Sequence, residues 1–106
     1  MITISFLKEN GKIVKVSAHG HSGLASRGED ILCAAASALI QTAYLAVDDL
    51  IGNVGYKRND DKGEFEFEVP KDCALRHDVD VILRALTIGL KDLQSGYPQN
   101  IKLEEQ

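Results

Sequence analysis

The sequence predicts an α+β fold with two layers, in which two helices cover one face of a mostly antiparallel sheet. Three observations support this prediction. The chain opens with two runs of alternating apolar and polar residues joined by an Asn-Gly pair, which is typical of a β-hairpin. Two longer stretches repeat apolar residues at helical spacing, and each is followed by short strand-like runs. The predicted order of elements is therefore ββαββαβ.

The first hairpin consists of a strand at residues 2–8, a turn at Asn10-Gly11 and a second strand that ends near His19. One face of the two strands is apolar, and its residues are Ile2, Ile4, Phe6, Val14, Val16 and Ala18. The second strand leads directly into Gly20-His21. From Ser22 to Gly28 small and polar residues dominate, which predicts a mobile surface loop.

A long apolar segment from Ile31 to about Leu50 predicts the first helix, and Gly52-Asn53 is a suitable pair to end it. Its predicted apolar stripe consists of Ile31, Leu32, Ala35, Leu39, Ala43, Ala46, Val47 and Leu50. Other apolar residues extend the stripe round the helix, namely Ile40, Tyr44 and Leu45. A helix this apolar needs cover on more than one side, which the sheet and either the second helix or a partner subunit would provide.

The second half of the chain predicts another pair of strands, a second helix and a last strand. These elements are a short strand at 54–58, a turn at 59–63, an alternating strand at 64–69, a helix from about Leu75 to Leu93 and a strand at 101–104. Gly96 and Pro98 are typical of the end of a helix.

Length, charge and cysteine content restrict the class of protein. The 106 residues suffice for one core, so residues 1–106 are predicted to form a single domain. The formal net charge of −4 disfavours nucleic-acid binding, because phosphates require a basic surface. No apolar run approaches the ~20 residues that a membrane span needs, and the first residues resemble a strand rather than a signal peptide. Two cysteines are too few for a disulfide framework, so we expect a cytoplasmic protein with free thiols.

The candidate chemistry lies where the loop meets the first helix. Asp30 is a favoured N-cap residue, which would place Cys33 in the first helical turn. The helix dipole and unpaired N–H groups stabilise an anion there, so we expect a thiol at this position to react as a thiolate nucleophile. His21 precedes the same helix, and its imidazole would complete a Cys–His pair.

These residues also have purely structural interpretations. Cys33 could be a small packed core residue, and the chemistry does not separate His21 from His19, two positions earlier. Asp30 could orient the histidine or only cap the helix. Ser37 lies one turn after Cys33, where it could hold a water or a substrate group, or bond back to its own helix.

A metal centre is the less favoured alternative. Cys73 and His77 lie four residues apart near the start of the second helix, and together with Cys33 and His21 they could supply zinc ligands. However, no CxxC or HxxxH pair accompanies them, so we expect neither a metal nor a cofactor. The missing CxxC pair also disfavours a disulfide oxidoreductase.

The segment 20–37 resembles the motif of the ribosomal-processing cysteine protease family, called Prp. It contains Gly-His, a short spacer and then Asp-Ile-Leu-Cys-Ala-x-x-Ser, with every motif position present. The similarity extends in outline over the whole chain, because length, opening hairpin, both helices and final strand also match.

The resemblance implies a cytosolic endopeptidase that removes the N-terminal extension of large-subunit ribosomal protein twenty-seven. It assigns His21 and Cys33 as the catalytic pair, and so selects His21 over His19. Asp30 and Ser37 become supporting residues. Apart from the resemblance, we expect Ser22, Gly23 and Gly28 to belong to a substrate loop that would close over the bound peptide. An acyl-enzyme would form at Cys33, with N–H groups at the helix start receiving the oxyanion.

The family resemblance also implies a homodimer formed through the helices, which agrees with the highly apolar first helix. Two other functions remain to be distinguished from proteolysis. One is a ribosome-associated binding protein in which Cys33 is merely packed, and the other is a different thiol enzyme, such as an acyl-transfer protein. Cleavage of the ribosomal precursor separates these three functions.

Overall fold

The order of elements along the chain is the predicted ββαββαβ. We describe residues 1–21 and 30–106 of a computed structural model. The strands and helices are β1 (Ile2–Glu9), β2 (Lys12–His19), α1 (Ile31–Ile51), β3 (Tyr56–Asn59), β4 (Glu64–Glu68), α2 (Arg76–Gly96) and β5 (Ile101–Glu105). The predicted loop between Ser22 and Gly28 lies outside the described residues.

Within the described parts of the chain, five strands form one sheet in the order β3-β4-β2-β1-β5. All neighbouring strands are antiparallel except β1 and β5, which are parallel, so the predicted α+β class with a mostly antiparallel sheet is confirmed. Asn10 and Gly11 have φ of 52° and 79°, as a tight hairpin turn requires. Because β4 pairs with β2, the hairpin made by β3 and β4 lies beside the strand that leads into His21.

The core lies between the sheet and the two helices, which cover one face. Its largest fully buried side chains come from both layers and are Phe67, Ile4, Leu32, Leu83, Leu90, Ile101, Val16, Val47 and Val79. The alternation in β1 and β4 is confirmed, since Ile2, Ile4, Phe6 and Phe67 are buried. Burying this apolar surface on one side of the sheet is the main source of stability.

The predicted buried stripe of α1 is partly wrong. Ile31 is 70% exposed, Leu45 is 62% exposed and Leu50 is 36% exposed. Ala36, which was not predicted in the stripe, belongs to the core, as does the predicted Ile40. The residues that α1 buries are Leu32, Ala36, Ile40, Ala43 and Val47. Apolar residues surround most of this helix, so helical spacing alone does not determine which side faces the sheet.

The strand predicted at 54–58 begins two residues later, at Tyr56. Val54 is instead a buried anchor after α1, and its N–H donates to the Asp48 carboxylate at 3.1 Å. Gly52 ends α1 with φ of 72°, and its N–H donates to the Asp48 carbonyl, so the predicted helix end is confirmed. These bonds fix the path of the chain from α1 into β3.

Helix α1 has the predicted length, since it ends one residue after Leu50, but it is more apolar than expected. Its 21 residues have a mean hydropathy of 1.6, which by length and composition alone suffices for a membrane span. The expectation that no apolar run is long enough for a membrane span is therefore wrong by length and composition, because the few polar residues of α1 do not lower its hydropathy enough. One stripe of the helix packs into the core described above, as core helices of this composition do.

Candidate active site

The start of α1 is held by the side chain of Asp30. This residue has an extended backbone, with φ of −81° and ψ of 97°, and its carboxylate accepts a hydrogen bond from the N–H of Cys33 at 2.9 Å. Asp30 is only 7% exposed, so this bond is well shielded from water. The predicted N-cap is confirmed, and Cys33 is the third residue of the helix, where its half-buried side chain contacts the edge of the core.

His21 is positioned at the end of β2 by a close approach of two backbone segments. The preceding Gly20 has φ of 92°, and a Cβ at this residue would collide with the carbonyl oxygen of Met1. Only glycine combines this φ with so close a neighbour. The chain therefore leaves β2 at Gly20 in a direction that brings the half-buried His21 towards the start of α1.

The four predicted site residues that the structure describes line one cleft of about 420 Å³. Asp30, Cys33 and Ser37 line it from α1, and His21 lines it from the end of β2. The other three predicted site residues, Ser22, Gly23 and Gly28, lie outside the described residues. Over the residues that the structure describes, the cleft is partly open, and Cys33 is among the residues that line it.

The competing residues lie elsewhere. His19 is exposed and lines a smaller depression on the sheet, away from the cysteine. Cys73 is half-buried against the core, and His77 is exposed on α2. Neither Cys33 nor Cys73 forms a disulfide. Among residues 1–21 and 30–106, no three His, Cys, Asp or Glu side chains are grouped to hold a metal ion.

The opposite side of the cleft is a wall that the sequence analysis did not identify. It consists of Arg58, Asp60, Gly63, Glu64 and Phe65, all from the β3–β4 hairpin. We call these five residues the hairpin wall. Their turn was recognised in the sequence as a polar connection, but its position beside His21 follows from the pairing of β4 with β2. This long-range pairing has no local signal in the sequence.

Arg58 and Asp60 are joined within the hairpin wall. The Arg58 Nε donates to an Asp60 carboxylate oxygen at 2.7 Å. This hydrogen bond and the carboxylate charge raise the pKa of Arg58 above its already high ordinary value, so the guanidinium is always charged. The wall thus presents both a cation and carboxylates to the cleft.

Aromatic packing attaches the hairpin to α1. The Tyr44 ring lies 5.0 Å from that of Tyr56, 5.8 Å from Phe65 and 5.9 Å from Phe67, measured between centroids. The Phe65 ring contact is edge-on, a favourable arrangement for aromatic pairs. Burial, the charge of Asp48 and the neighbouring Tyr56 raise the pKa of Tyr44. This cluster fixes the distance between the two sides of the cleft.

The arrangement provides the groups that nucleophilic catalysis requires. A thiol in the first turn of a helix and an imidazole share one cleft, which is the constellation of a thiol nucleophile with an adjacent base. The N–H of Cys33 donates to the Asp30 carboxylate and that of Ala34 to the Asp30 carbonyl. Within the helix, the N–H groups of Ile31 and Leu32 have no acceptor.

Comparison with known proteins identifies the family. The sequence model of the family described as Cysteine protease Prp matches residues 1–102. The chain is 28% identical over 104 residues to the ribosomal processing cysteine protease Prp of Staphylococcus aureus, covering 97% of each chain. It is 26% identical over 111 residues to the Bacillus subtilis protein of the same name, covering 97% of this chain and 96% of that protein.

A solved structure agrees with the sequence comparison. The Staphylococcus aureus protease in complex with a covalently linked product peptide superposes with a TM-score of 0.89 and 26% identity, over 100% of both chains. The family model covers nearly the whole chain, and the match to this structure spans the entire fold. The chain belongs to the Prp family of cysteine proteases, as its Gly-His and Asp-Ile-Leu-Cys-Ala-x-x-Ser motif predicted.

Proposed function

We propose that this protease removes the N-terminal extension from the precursor of large-subunit ribosomal protein twenty-seven, with Cys33 as nucleophile and His21 as base. The observation that carries the proposal is that both side chains line one open cleft, with Cys33 in the first turn of α1. Relatives from two bacteria are named as ribosomal processing proteases, which supports a ribosomal protein as substrate.

The chemistry proceeds through an acyl-enzyme. The His21 imidazole accepts the proton of the Cys33 thiol, and the sulfur attacks the carbonyl carbon of the scissile peptide bond. The imidazolium then returns this proton to the leaving amine as the bond breaks. Water, deprotonated by His21, attacks the thioester and releases the new carboxylate and the free thiol. The relative solved with a covalently linked product peptide supports a covalent route.

In our proposal, the backbone N–H groups that stabilise the oxyanion belong to residues before Cys33 in the sequence. Because the N–H groups of Cys33 and Ala34 already donate to Asp30, they are poor candidates for the developing negative charge. Ile31 and Leu32 have N–H groups without an acceptor inside the helix, at its positive end. Ser37, which lines the cleft one turn further along α1, is suited to hold a substrate group or a water molecule.

Charge supports a basic substrate. The chain carries a formal net charge of −4, and the hairpin wall contributes Asp60 and Glu64 to the cleft. Ribosomal proteins are generally basic because they bind RNA phosphates, so the long-range attraction favours their approach. We place the reaction in the cytoplasm, where ribosomal proteins are made, and it requires no cofactor because thiol and imidazole supply all the proton transfers.

Homodimerisation through the helices is the second part of the proposal. Large apolar side chains remain exposed on both helices, including Ile31 and Leu45 on α1 and Val81 and Ile88 on α2, each at least 56% exposed. Such apolar residues on the outer side of the helix layer are suited to an interface between copies. We expect sedimentation to give a dimer mass, and the single substitutions Leu45→Arg and Ile88→Arg to give monomers.

Cleavage of the precursor tests the function directly. The purified protein is mixed with the precursor, and the products are identified by mass spectrometry. Cys33→Ala and His21→Ala should each lower the rate by at least about 10³-fold, because both members of the nucleophilic pair are needed. The matched controls Cys73→Ala and His19→Ala replace the same residue types outside the cleft and should retain the wild-type rate.

Two outcomes would contradict the proposal. Undiminished cleavage by folded Cys33→Ala would exclude this cysteine as the nucleophile. Equal losses in His21→Ala and His19→Ala, with both variants folded, would contradict the assignment of His21 as the base. Unchanged activity in the presence of a metal chelator would agree with the thiol mechanism and contradict the zinc alternative.

A further inference from the structure

The turn between β3 and β4 lies directly against the His21 side chain. Gly63 ends this turn with φ of 62°, and its N–H donates to the carbonyl of Asp60 at 3.2 Å. A Cβ on Gly63 would lie 2.9 Å from Cε1 and 3.0 Å from Nε2 of the His21 imidazole, and 2.7 Å from the Gly20 carbonyl oxygen. Ordinary contacts of a Cβ begin at 3.4 Å, so the bare Cα of glycine is what allows this approach.

The short distance between Gly63 and the His21 imidazole is set by strand pairing and by a hydrogen bond within the turn. β4 pairs with β2 through Ala18 and Phe65, three residues before His21 and two residues after Gly63. The turn is further closed by the Asn59 side chain, which accepts a hydrogen bond from the N–H of Lys62 at 3.2 Å. The sheet therefore sets the distance between Gly63 and the imidazole.

We propose that Gly63 is a positioning residue for the proteolytic reaction, because the turn that it ends supports the His21 imidazole and sets its direction in the cleft. This inference rests on the proposed function, in which His21 is the base. The reactive nitrogen must point towards the thiol within hydrogen-bond distance, and a ring displaced by about 1 Å loses roughly 100-fold in rate. A side chain at residue 63 would either push the imidazole away or lift the turn from it.

A simpler explanation of Gly63 is the positive φ alone, which glycine adopts without strain. Two variants and a control separate the two explanations. Gly63→Ala introduces both backbone strain and the Cβ contact. Gly63→Asn introduces the same Cβ but tolerates the left-handed backbone better. Gly11→Ala is the matched control, since Gly11 also lies in a hairpin turn with φ of 79° and has no atom within 4 Å of its Cβ position.

The experiment measures cleavage kinetics of the precursor and the nuclear magnetic resonance signal of the His21 Cε1 proton in the substrate-free protein. We expect kcat of both Gly63→Ala and Gly63→Asn to fall roughly 100-fold, with KM little changed, because the lost interaction aligns the base in the transition state. We expect the Cε1 signal to shift in both variants. Gly11→Ala should lose thermal stability without either effect.

The outcomes distinguish this inference from the function on which it rests. If the Gly63 variants cleave as fast as Gly11→Ala while His21→Ala is inactive, Gly63 does not position the base, and the proposed function stands. A wild-type kcat in Gly63→Asn together with a low kcat in Gly63→Ala would also overturn the inference. Backbone strain at residue 63, and not the contact of a Cβ with the imidazole, would then be the cause of the lost activity. If His21→Ala retains full activity, the proposed function and the positioning role both fall.

Discussion

The two sides of the cleft differ in how they are encoded in the chain. On the α1 side, Asp30, Cys33 and Ser37 lie within eight consecutive residues, and one helix sets their relative positions. On the other side, the hairpin wall reaches His21 through a strand pairing between residues about 50 positions apart, from Ala18 with Phe65 to Lys15 with Glu68. The first side is a local motif, whereas the second exists only in the folded protein. Substitutions in each side should therefore affect different properties.

The largest stability effect is expected where the two sides are joined. Tyr44→Ala removes a ring that contacts three other aromatic rings of the hairpin. We expect the free energy of unfolding to fall by about 2–3 kcal/mol, less than for a fully buried ring because Tyr44 is half-buried. KM should also rise, because the hairpin wall is no longer held at its distance from α1.

Denaturant unfolding and cleavage kinetics measure the two effects of Tyr44→Ala. The control is Tyr44→Phe, which keeps the ring contacts and should retain both stability and KM at neutral pH. A stable Tyr44→Ala variant with unchanged KM would show that the aromatic cluster does not hold the wall in place.

The contrast between the two sides also explains what the sequence could predict. Strand alternation and helical spacing predicted every element, because burial on one face imposes these periods. The Asp30 cap and the place of Cys33 in the first turn were predictable, because capping acts over three residues. The buried stripe of α1 was mispredicted at Ile31 and Leu50, since apolar residues surround that helix and its neighbours select the buried side.

The hairpin wall could not be predicted from local pattern. Residues 59–63 have the composition of any polar turn, and Gly63 is one of nine glycines in the chain. Its contact with His21 follows from which strand lies next to β2, and the sheet order β3-β4-β2-β1-β5 is a property of the whole fold. Positioning residues of this kind are accordingly found in the structure and not in a motif.

Substitutions of Asp30 test whether this residue only caps α1 or also orients His21. Asp30→Ala removes the cap and should lower the free energy of unfolding by about 1 kcal/mol. Asp30→Asn is the matched control, because asparagine caps helices about as well but lacks the negative charge. If Asp30 only caps the helix, Asp30→Asn should retain kcat. A large loss of kcat in a stable Asp30→Asn variant would instead indicate that its charge also orients His21.

Substitution of Glu64 tests whether the negative charge of the hairpin wall contributes to binding of the basic precursor. Glu64→Gln should raise KM for the basic precursor about two- to fivefold, the size of an exposed charge interaction of roughly 0.5–1 kcal/mol. The effect should shrink as salt is added, because exposed charges are screened. Glu68→Gln replaces an exposed glutamate of the same strand that does not line the cleft, and it should leave KM unchanged. Equal KM changes in the two variants would contradict a specific role for the wall.

The smallest effect is expected at alkaline pH, again at the junction of the two sides. Burial, Asp48 and Tyr56 raise the pKa of Tyr44 in the folded state. The unfolded chain therefore releases the phenol proton at lower pH, so this stabilisation is present below about pH 10 and is lost as pH rises through the folded pKa. Unfolding by denaturant at increasing pH measures the slope.

Tyr44→Phe should remove part of this alkaline slope, because phenylalanine keeps the ring contacts but has no proton to lose. Tyr97→Phe is the control, since Tyr97 lies at the end of α2 and makes none of the aromatic contacts of the hairpin. An identical slope in wild type and Tyr44→Phe would mean that the phenol is equally solvated before and after unfolding. Tyr44 would then contribute to the free energy of unfolding through the packing of its ring alone. The contact between α1 and the hairpin would not depend on the ionisation of the phenol.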